Sequence, residues 1–232
     1  MKVGAIIFSR MSSTRLPKKA MLEISGRSLL GRVIDRSKHI KGIDEVIVAT
    51  SNDKDDDEIA NFSGREGVKV YRGSLENVTL RALSTCKEYN LDKFVRICGD
   101  RPFFDPNLIS NLIDIYKGKE IDLLTTTFPR TYPPGLTVEI ISSKALEYAF
   151  SSMSEEDKEH VTKFFYRYPD KFSIKNITAM ENLDFKHINL CLDTLDDLKR
   201  IEWIASQIED SEYSYASMKK IVSLAQIWNK NN

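Results

Sequence analysis

Short apolar runs alternating with helical stripes constrain this chain more than any other feature of its sequence. The runs are VGAIIF (3–8), EVIVAT (45–50), VKVY (68–71), KFVRIC (93–98) and IDLLTTT (121–127). Between them, apolar residues recur at helical spacing. One stripe is Leu29, Leu30, Val33 and Ile34; a second is Leu75, Val78, Ala82, Cys86 and Tyr89; a third is Leu108, Ile109, Leu112, Ile113 and Tyr116. Strands that are apolar on both faces and alternate with helices pair in parallel, with helices covering both sides of the sheet. The expected fold class is therefore α/β with a mostly parallel sheet. Ser28 and Ser74 are expected helix N-caps, and Asp105-Pro106 reads as a cap followed by proline at the first helical position.

The rhythm changes after residue 127. FPRTYPPGLTVEII is a proline-rich loop followed by an alternating segment, which predicts a hairpin leaving the parallel sheet over the active face, within an excursion spanning about 127–170. Ser154 and Asp157 form a capping box ahead of Val161, Phe164 and Phe165. Residues 172–178 and 187–192 read as strands. Two further helices run through Leu195, Leu198, Ile201, Ile204 and Ile208, and through Met218, Ile221, Val222, Ala225 and Trp228. Without a repeat, linker or low-complexity stretch, residues 1–232 read as a single domain.

Charge and residue usage narrow the function. The 34 basic and 34 acidic residues cancel, which excludes broad attraction to nucleic acid or an anionic membrane, so any polyanion must be held locally. MKVGAIIF is too short for a signal peptide, and no run approaches the roughly 18 apolar residues of a spanning helix, so a cytoplasmic protein is expected. Cys86, Cys98 and Cys191 are too dispersed for a disulfide framework or zinc cluster. His39, His160 and His187 are equally scattered. Neither GxxxxGK[ST] nor GxGxxG follows the first strand, so the P-loop and dinucleotide folds lack their motifs.

One loop breaks the even charge balance. SRMSSTRLPKK (9–19) places Arg10, Arg15, Lys18 and Lys19 directly after the first strand. Ligands of open α/β sheets bind beyond the carboxyl ends of the strands. Two further segments belong there, ICGDRPFFDP (97–106) and NLCLDTLDDL (189–198), each contributing an acid, Asp100 and Asp193. Cations for phosphate oxygens beside carboxylates for a hard divalent ion suit a metal-complexed polyphosphate. Taken singly, the basic loop also fits a solvated surface, Asp100 a turn before Pro102, and Asp193 a cap for the helix near Leu195.

SRMSSTRLPKK resembles the QARMGSTRLPGK signature of the SpsF-type cytidylyltransferases, a branch of the CMP-sugar (acylneuraminate and 3-deoxy-manno-octulosonate) synthetase superfamily. The resemblance continues through EVIVATS, VYRGSLENV, VRICGDRPFFDP, FPRTYPPGLTVEI, EHVTKFFYRYP and LCLDTLDDL, most of residues 1–200. It implies a glycosyltransferase-A-like nucleotide-diphospho-sugar transferase fold. It also implies Mg2+-dependent transfer of CMP from CTP to an acidic sugar of octulosonic or nonulosonic type, with release of pyrophosphate, for surface polysaccharide synthesis.

Carried over residue by residue, the resemblance makes Arg10, Arg15 and Lys19 triphosphate-binding cations and Ser13 and Thr14 the turn between them. Lys19, Arg10 and Asp100 are the implied catalytic residues, and Asp100 and Asp193 the magnesium ligands. Arg72, Gly73 and Ser74 fall in the implied nucleobase loop. Arg130, Tyr132, Glu139 and His160 fall near the acceptor or a dimer contact, and Arg96 or Arg130 is a candidate partner for a sugar carboxylate. Ser9, Ser12 and Lys18 stand where the family carries glutamine, glycine and glycine. A homodimer is expected too, because a proline-stiffened arm exposing Phe128, Tyr132 and Leu136 would otherwise leave apolar surface in water. A glycosyltransferase using a nucleotide-sugar donor and a non-catalytic scaffold are the alternative classes on this fold.

Overall fold

The computed structural model describes residues 1–179, 185, 187–209, 212 and 216–231. In chain order its elements are β1 (Val3–Phe8), β2 (Glu23–Ile24), β3 (Arg27–Ser28), α1 (Leu29–Lys38), β4 (Glu45–Ser51), α2 (Asp57–Arg65), β5 (Lys69–Gly73), α3 (Val78–Glu88), β6 (Lys93–Cys98), α4 (Pro106–Tyr116), β7 (Leu123–Thr125), β8 (Glu139–Ser142), α5 (Ser143–Phe150), α6 (Glu155–Glu159), α7 (Lys163–Arg167), β9 (Ile174–Asn176), α8 (Leu195–Ser206) and α9 (Met218–Asn231). Seven strands form one sheet in the order β5-β4-β1-β6-β8-β7-β9, and β2 and β3 make a separate two-stranded hairpin. Within the large sheet β8 runs antiparallel to both neighbours, while every other pairing is parallel.

Successive residues of a strand point to opposite faces, so a run of consecutive apolar residues feeds two cores at once. Ile7, Val48 and Val95 pack with the apolar stripes of α1, α4, α8 and α9. Their neighbours Ile6, Ile47 and Phe94 pack with α3, α5 and α7. Each such side chain is essentially inaccessible to water and contributes about 1.5–3 kcal/mol by its burial. Among the described residues no helix is long and apolar enough to cross a membrane.

Three local expectations are corrected by the fold. The segment after residue 127 returns to the middle of the main sheet as β8, between β6 and β7, where a hairpin beyond the sheet was expected. Its alternation arises because Leu136, Val138, Ile140 and Ile141 are core residues while Thr137 and Glu139, polar and equally buried, find partners inside the protein. Residues 187–192 form no strand; they are tied down by single bonds, Leu190 N to Pro134 O at 2.9 Å and Leu192 N to Asp100 O at 2.9 Å. The caps also differ in part. Ser28, Asp105 and Ser154 cap as expected, but Asn77, not Ser74, caps α3, and Thr194, in a capping box with Asp197, caps α8.

Candidate active site

From β1 the chain runs toward β4 and β5 at one edge of the sheet, and from β6 toward β8, β7 and β9 at the other; such a reversal of strand order opens a crevice at the strand ends. A cleft of about 390 Å³ lies there, bounded by the ends of β1 and β6, the basic loop, the start of α3 and the end of α6. The loop is rigidly founded. Met11, Leu16 and Ala20 are buried anchors between its polar residues. Asp56, also buried, accepts from Met11 N at 2.7 Å and from Ser51 N at 2.9 Å, pinning the loop to the end of β4. Burial works against the Asp56 carboxylate, but these donors win and hold its pKa below the usual carboxylate value. The Met11 carbonyl accepts from both Ser13 N and Lys18 N, which curls the loop on itself. Lys18 takes a left-handed φ of 58°, the conformation glycine adopts without cost and an L-residue adopts at about 1–2 kcal/mol.

Lys19 stands at the centre of the site. Its ammonium donates to Asp193 Oδ1 at 2.8 Å, Leu192 O at 3.0 Å and Asp100 Oδ2 at 3.3 Å. Burial disfavours the ammonium, yet Asp100 and Asp193 outweigh that penalty and raise its pKa above the ordinary lysine value. Arg15 reaches the other Asp193 oxygen, Oδ2, at 3.0 Å. Because the Arg15 side chain is 65 % exposed and that of Lys19 only 16 %, solvent screens the first contact far more than the second. Asp100 Oδ1 is buried without any hydrogen-bond partner among the described residues. The two acid-bearing segments are spliced by the Leu192–Asp100 backbone bond, and Gly135 (φ 94°) lies so close to Leu190 that an added Cβ would meet its carbonyl carbon at 2.6 Å.

On the far wall, Arg96 lines the cleft and donates to Glu139 Oε2 at 2.7 Å. Glu139 Oε1 in turn accepts from the Tyr166 hydroxyl at 2.6 Å. Burial opposes charge on Glu139, and Arg96 and Tyr166 overcome it, keeping its pKa low. Glu139 therefore supports the cleft from beneath, through Arg96.

Of the residues singled out from the sequence, Arg10, Ser13, Thr14, Arg15, Lys19, Arg96, Asp100, His160 and Asp193 come together around this cleft. Ser9 and Ser12 line it too, whereas Arg72, Gly73, Ser74, Arg130, Tyr132 and Glu139 are not among its lining residues. Arg72 is consumed by Asp57 and by the carbonyls of Ser51 and Asp53. The Gly73 carbonyl accepts from Asn52 N, and Ser74 Oγ accepts from Asn77 N at 3.0 Å. That turn is a brace between β4, β5 and α3. Tyr132 is buried, 6.0 Å from the Phe185 ring, and Arg130 is exposed. Sequence reasoning missed Arg81, which lines the cleft from α3, and Asp56, which founds the loop. Only their spacing after a strand end could have marked them. Cys191 is pushed up to about 12 by burial and Cys86 to about 11, so both are unreactive thiols.

Among the described residues no three His, Cys, Asp or Glu side chains gather as a self-sufficient metal cage. Two carboxylates with one oxygen unpartnered, facing a cation that already sits between them, suit instead a hard ion that completes its shell with phosphate oxygens and water.

Comparison with known proteins gives the same direction. The sequence profile of a family described as cytidylyltransferase matches residues 4–222. A solved cytidylyltransferase from Leptospira borgpetersenii superposes with a TM-score of 0.89 at 30% identity, covering 100% of this chain and 95% of that one. The spore coat polysaccharide biosynthesis protein SpsF of Bacillus subtilis is 27% identical over 203 residues, 85% of this chain and 83% of that protein. A 3-deoxy-manno-octulosonate cytidylyltransferase of Geobacter metallireducens is 34% identical over 113 residues, 49% of this chain and 44% of that protein.

Proposed function

The chain belongs to the cytidylyltransferase family, and from that premise we propose that it transfers CMP from CTP to a hydroxyl of an acidic sugar, of octulosonic or nonulosonic type, in the cytoplasm. Pyrophosphate leaves, and the activated sugar serves surface polysaccharide synthesis. The observation that carries this reading is the Lys19 ammonium held between Asp100 and Asp193 at the mouth of the strands. The relatives named for octulosonate activation and spore coat polysaccharide support the acceptor class and the pathway.

In this reading Arg10, Arg15 and Lys19 hold the triphosphate, and Ser13 and Thr14 shape the turn beneath it. Asp100 and Asp193 would hold Mg2+, which when bound polarises the α-phosphate and neutralises its growing charge. Lys19 keeps the two acids together before nucleotide arrives and has phosphate oxygens as its new partners afterwards. The acceptor hydroxyl attacks the α-phosphorus as the bond to the leaving pyrophosphate breaks; alignment and charge neutralisation carry the rate without a covalent enzyme intermediate. Arg96, steadied by Glu139, and His160 face the cleft where an acceptor would lie, and the guanidinium is suited to its carboxylate. We extend the proposal to a homodimer.

Pyrophosphate release assayed across CTP, UTP, GTP and ATP with a panel of neutral sugars and sugar acids tests the reading. Release with CTP and a sugar acid is the expected result. Release of nucleoside diphosphate from a nucleotide-sugar donor would make the chain a glycosyltransferase instead.

A further inference from the structure

Arg81 is 2 % exposed, yet it borders the cleft beside Arg10. Two other buried arginines are cross-links to carbonyls: Arg32 makes three such bonds, to Ile24 O and Ser25 O, and Arg36 bonds Phe104 O and Ala216 O. Arg81 is not used that way. One amino group donates to Ser74 O at 2.6 Å, the guanidinium carbon lies 6.0 Å from the Phe8 ring centroid, and Nε is buried with no partner among the described residues. No described carboxylate pairs with it. Arg10 likewise makes no side-chain hydrogen bond or ion pair with any described residue. Two guanidinium groups thus border the same cleft with no described carboxylate in ion-pair contact with either, Asp56 acting on Arg81 only from farther off, and burying such a charge without a direct partner is costly.

We propose that Arg81 and Arg10 together form an oxyanion subsite that takes a phosphate of the nucleotide or of pyrophosphate, apart from the two-aspartate end of the cleft. This rests on the cytidylyltransferase reading for the source of the phosphate. Burial and the neighbouring Arg10 push the Arg81 pKa down to about 10, against a smaller pull from Asp56, so the pair is strained in the direction an anion would relieve. A phosphate between them turns the repulsion into two charge-assisted contacts, and a guanidinium fork matches phosphate geometry bidentately. The Ser74 carbonyl and the Phe8 ring then act as the supports that aim Arg81 before the anion arrives.

Titration calorimetry on the full chain with inorganic pyrophosphate, CTP and cytidine, comparing wild type with Arg81→Gln and Arg81→Lys, tests the assignment. Pyrophosphate and CTP affinity should fall at least tenfold in Arg81→Gln and recover partly in Arg81→Lys, with cytidine affinity unchanged. Unaltered pyrophosphate affinity in a folded Arg81→Gln, or loss confined to cytidine, would overturn it. Should Arg81→Gln fail to fold, Arg10→Gln decides: relief of repulsion should raise the melting temperature of the ligand-free protein, and saturating pyrophosphate should narrow or reverse that gain. An Arg10→Gln melt no higher than wild type would sink the paired subsite. Because the pyrophosphate titration needs neither sugar nor turnover, it decides Arg81 even if the proposed acceptor chemistry fails in the release assay.

Discussion

Asp193 shows how one residue can satisfy two sequence readings that only geometry separates. It precedes a helix, where an aspartate is a good cap, and it follows an extended run, where an aspartate is a good metal ligand. The cap of α8 is Thr194, whose hydroxyl accepts from Asp197 N while Asp197 reaches back, so both Asp193 carboxylate oxygens are turned to the cations Lys19 and Arg15. Asp193→Asn therefore leaves the helix start intact. Asp100→Asn likewise keeps the side chain's shape at a position whose backbone carbonyl, not its carboxylate, holds Leu192. Each variant is expected to melt near the wild-type temperature while turnover falls more than a hundredfold, the consequence of losing roughly 3–4 kcal/mol of transition-state stabilisation. Steady-state pyrophosphate release beside thermal melts makes the comparison. Near-normal turnover in either variant at saturating magnesium and CTP would remove that acid from the site.

Between residue and fold, the basic loop acts as an element in its own right although it contains little regular structure. Its shape comes from Met11, whose carbonyl gathers Ser13 and Lys18, and from Asp56, which bonds the Met11 amide and the end of β4 through one carboxylate. Replacing Asp56 by alanine strands two buried amides, at about 1–3 kcal/mol each. The expected result for Asp56→Ala is a lowered melting temperature together with weaker CTP binding, since Arg10, Arg15 and Lys19 all hang from this loop. The lowered pKa of Asp56 fixes the pH sense as well: its stabilisation is complete above the ordinary carboxylate value of 3.8 and is lost as pH falls through the lower folded value. An Asp56→Ala protein with wild-type CTP affinity, measured by calorimetry, would show that the loop is held from elsewhere.

For the whole molecule, strand order decides where chemistry happens. The chain leaves β1 toward β4 and β5, returns to β6 beside β1, and then departs the other way, so the cleft opens between the two strands whose ends carry Arg10 and Asp100. The same scale bears on assembly. Of the three apolar residues thought to project from the proline-rich arm, Tyr132 and Leu136 are buried within the chain at 6 % and 0 %, and Phe128 alone stays 40 % exposed, stacked on Tyr166 with ring centroids 5.1 Å apart. The homodimer proposal then rests on a smaller apolar surface, with Phe128 as its anchor. Light scattering at micromolar concentration is expected to give twice the chain mass, and Phe128→Glu to halve it. A monomeric wild type would refute the assembly while leaving the active-site reading intact.

The sequence alone determined whatever depends on neighbours a few positions away. The bounds of β1 and β6, the apolar stripes of α1 and α4, and the caps Ser28, Asp105 and Ser154 follow from periodicity and from hydrogen bonds that close within three residues. The resemblance of the loop and of the two acid-bearing segments places Lys19, Asp100 and Asp193 in one site, without their distances. Tertiary structure decided the rest. The alternation in 136–141 is the same whether its polar residues face water or, as Glu139 does, the half-buried cleft arginine Arg96, so the place of β8 in the sheet was illegible locally. Nothing near Arg81 in the chain distinguishes a solvated helix arginine from a buried one beside Arg10. Nor does local sequence say that Lys19 will lie between acids 81 and 174 positions away, because such partners meet only once the hydrophobic burial of both sheet faces has set the strand order.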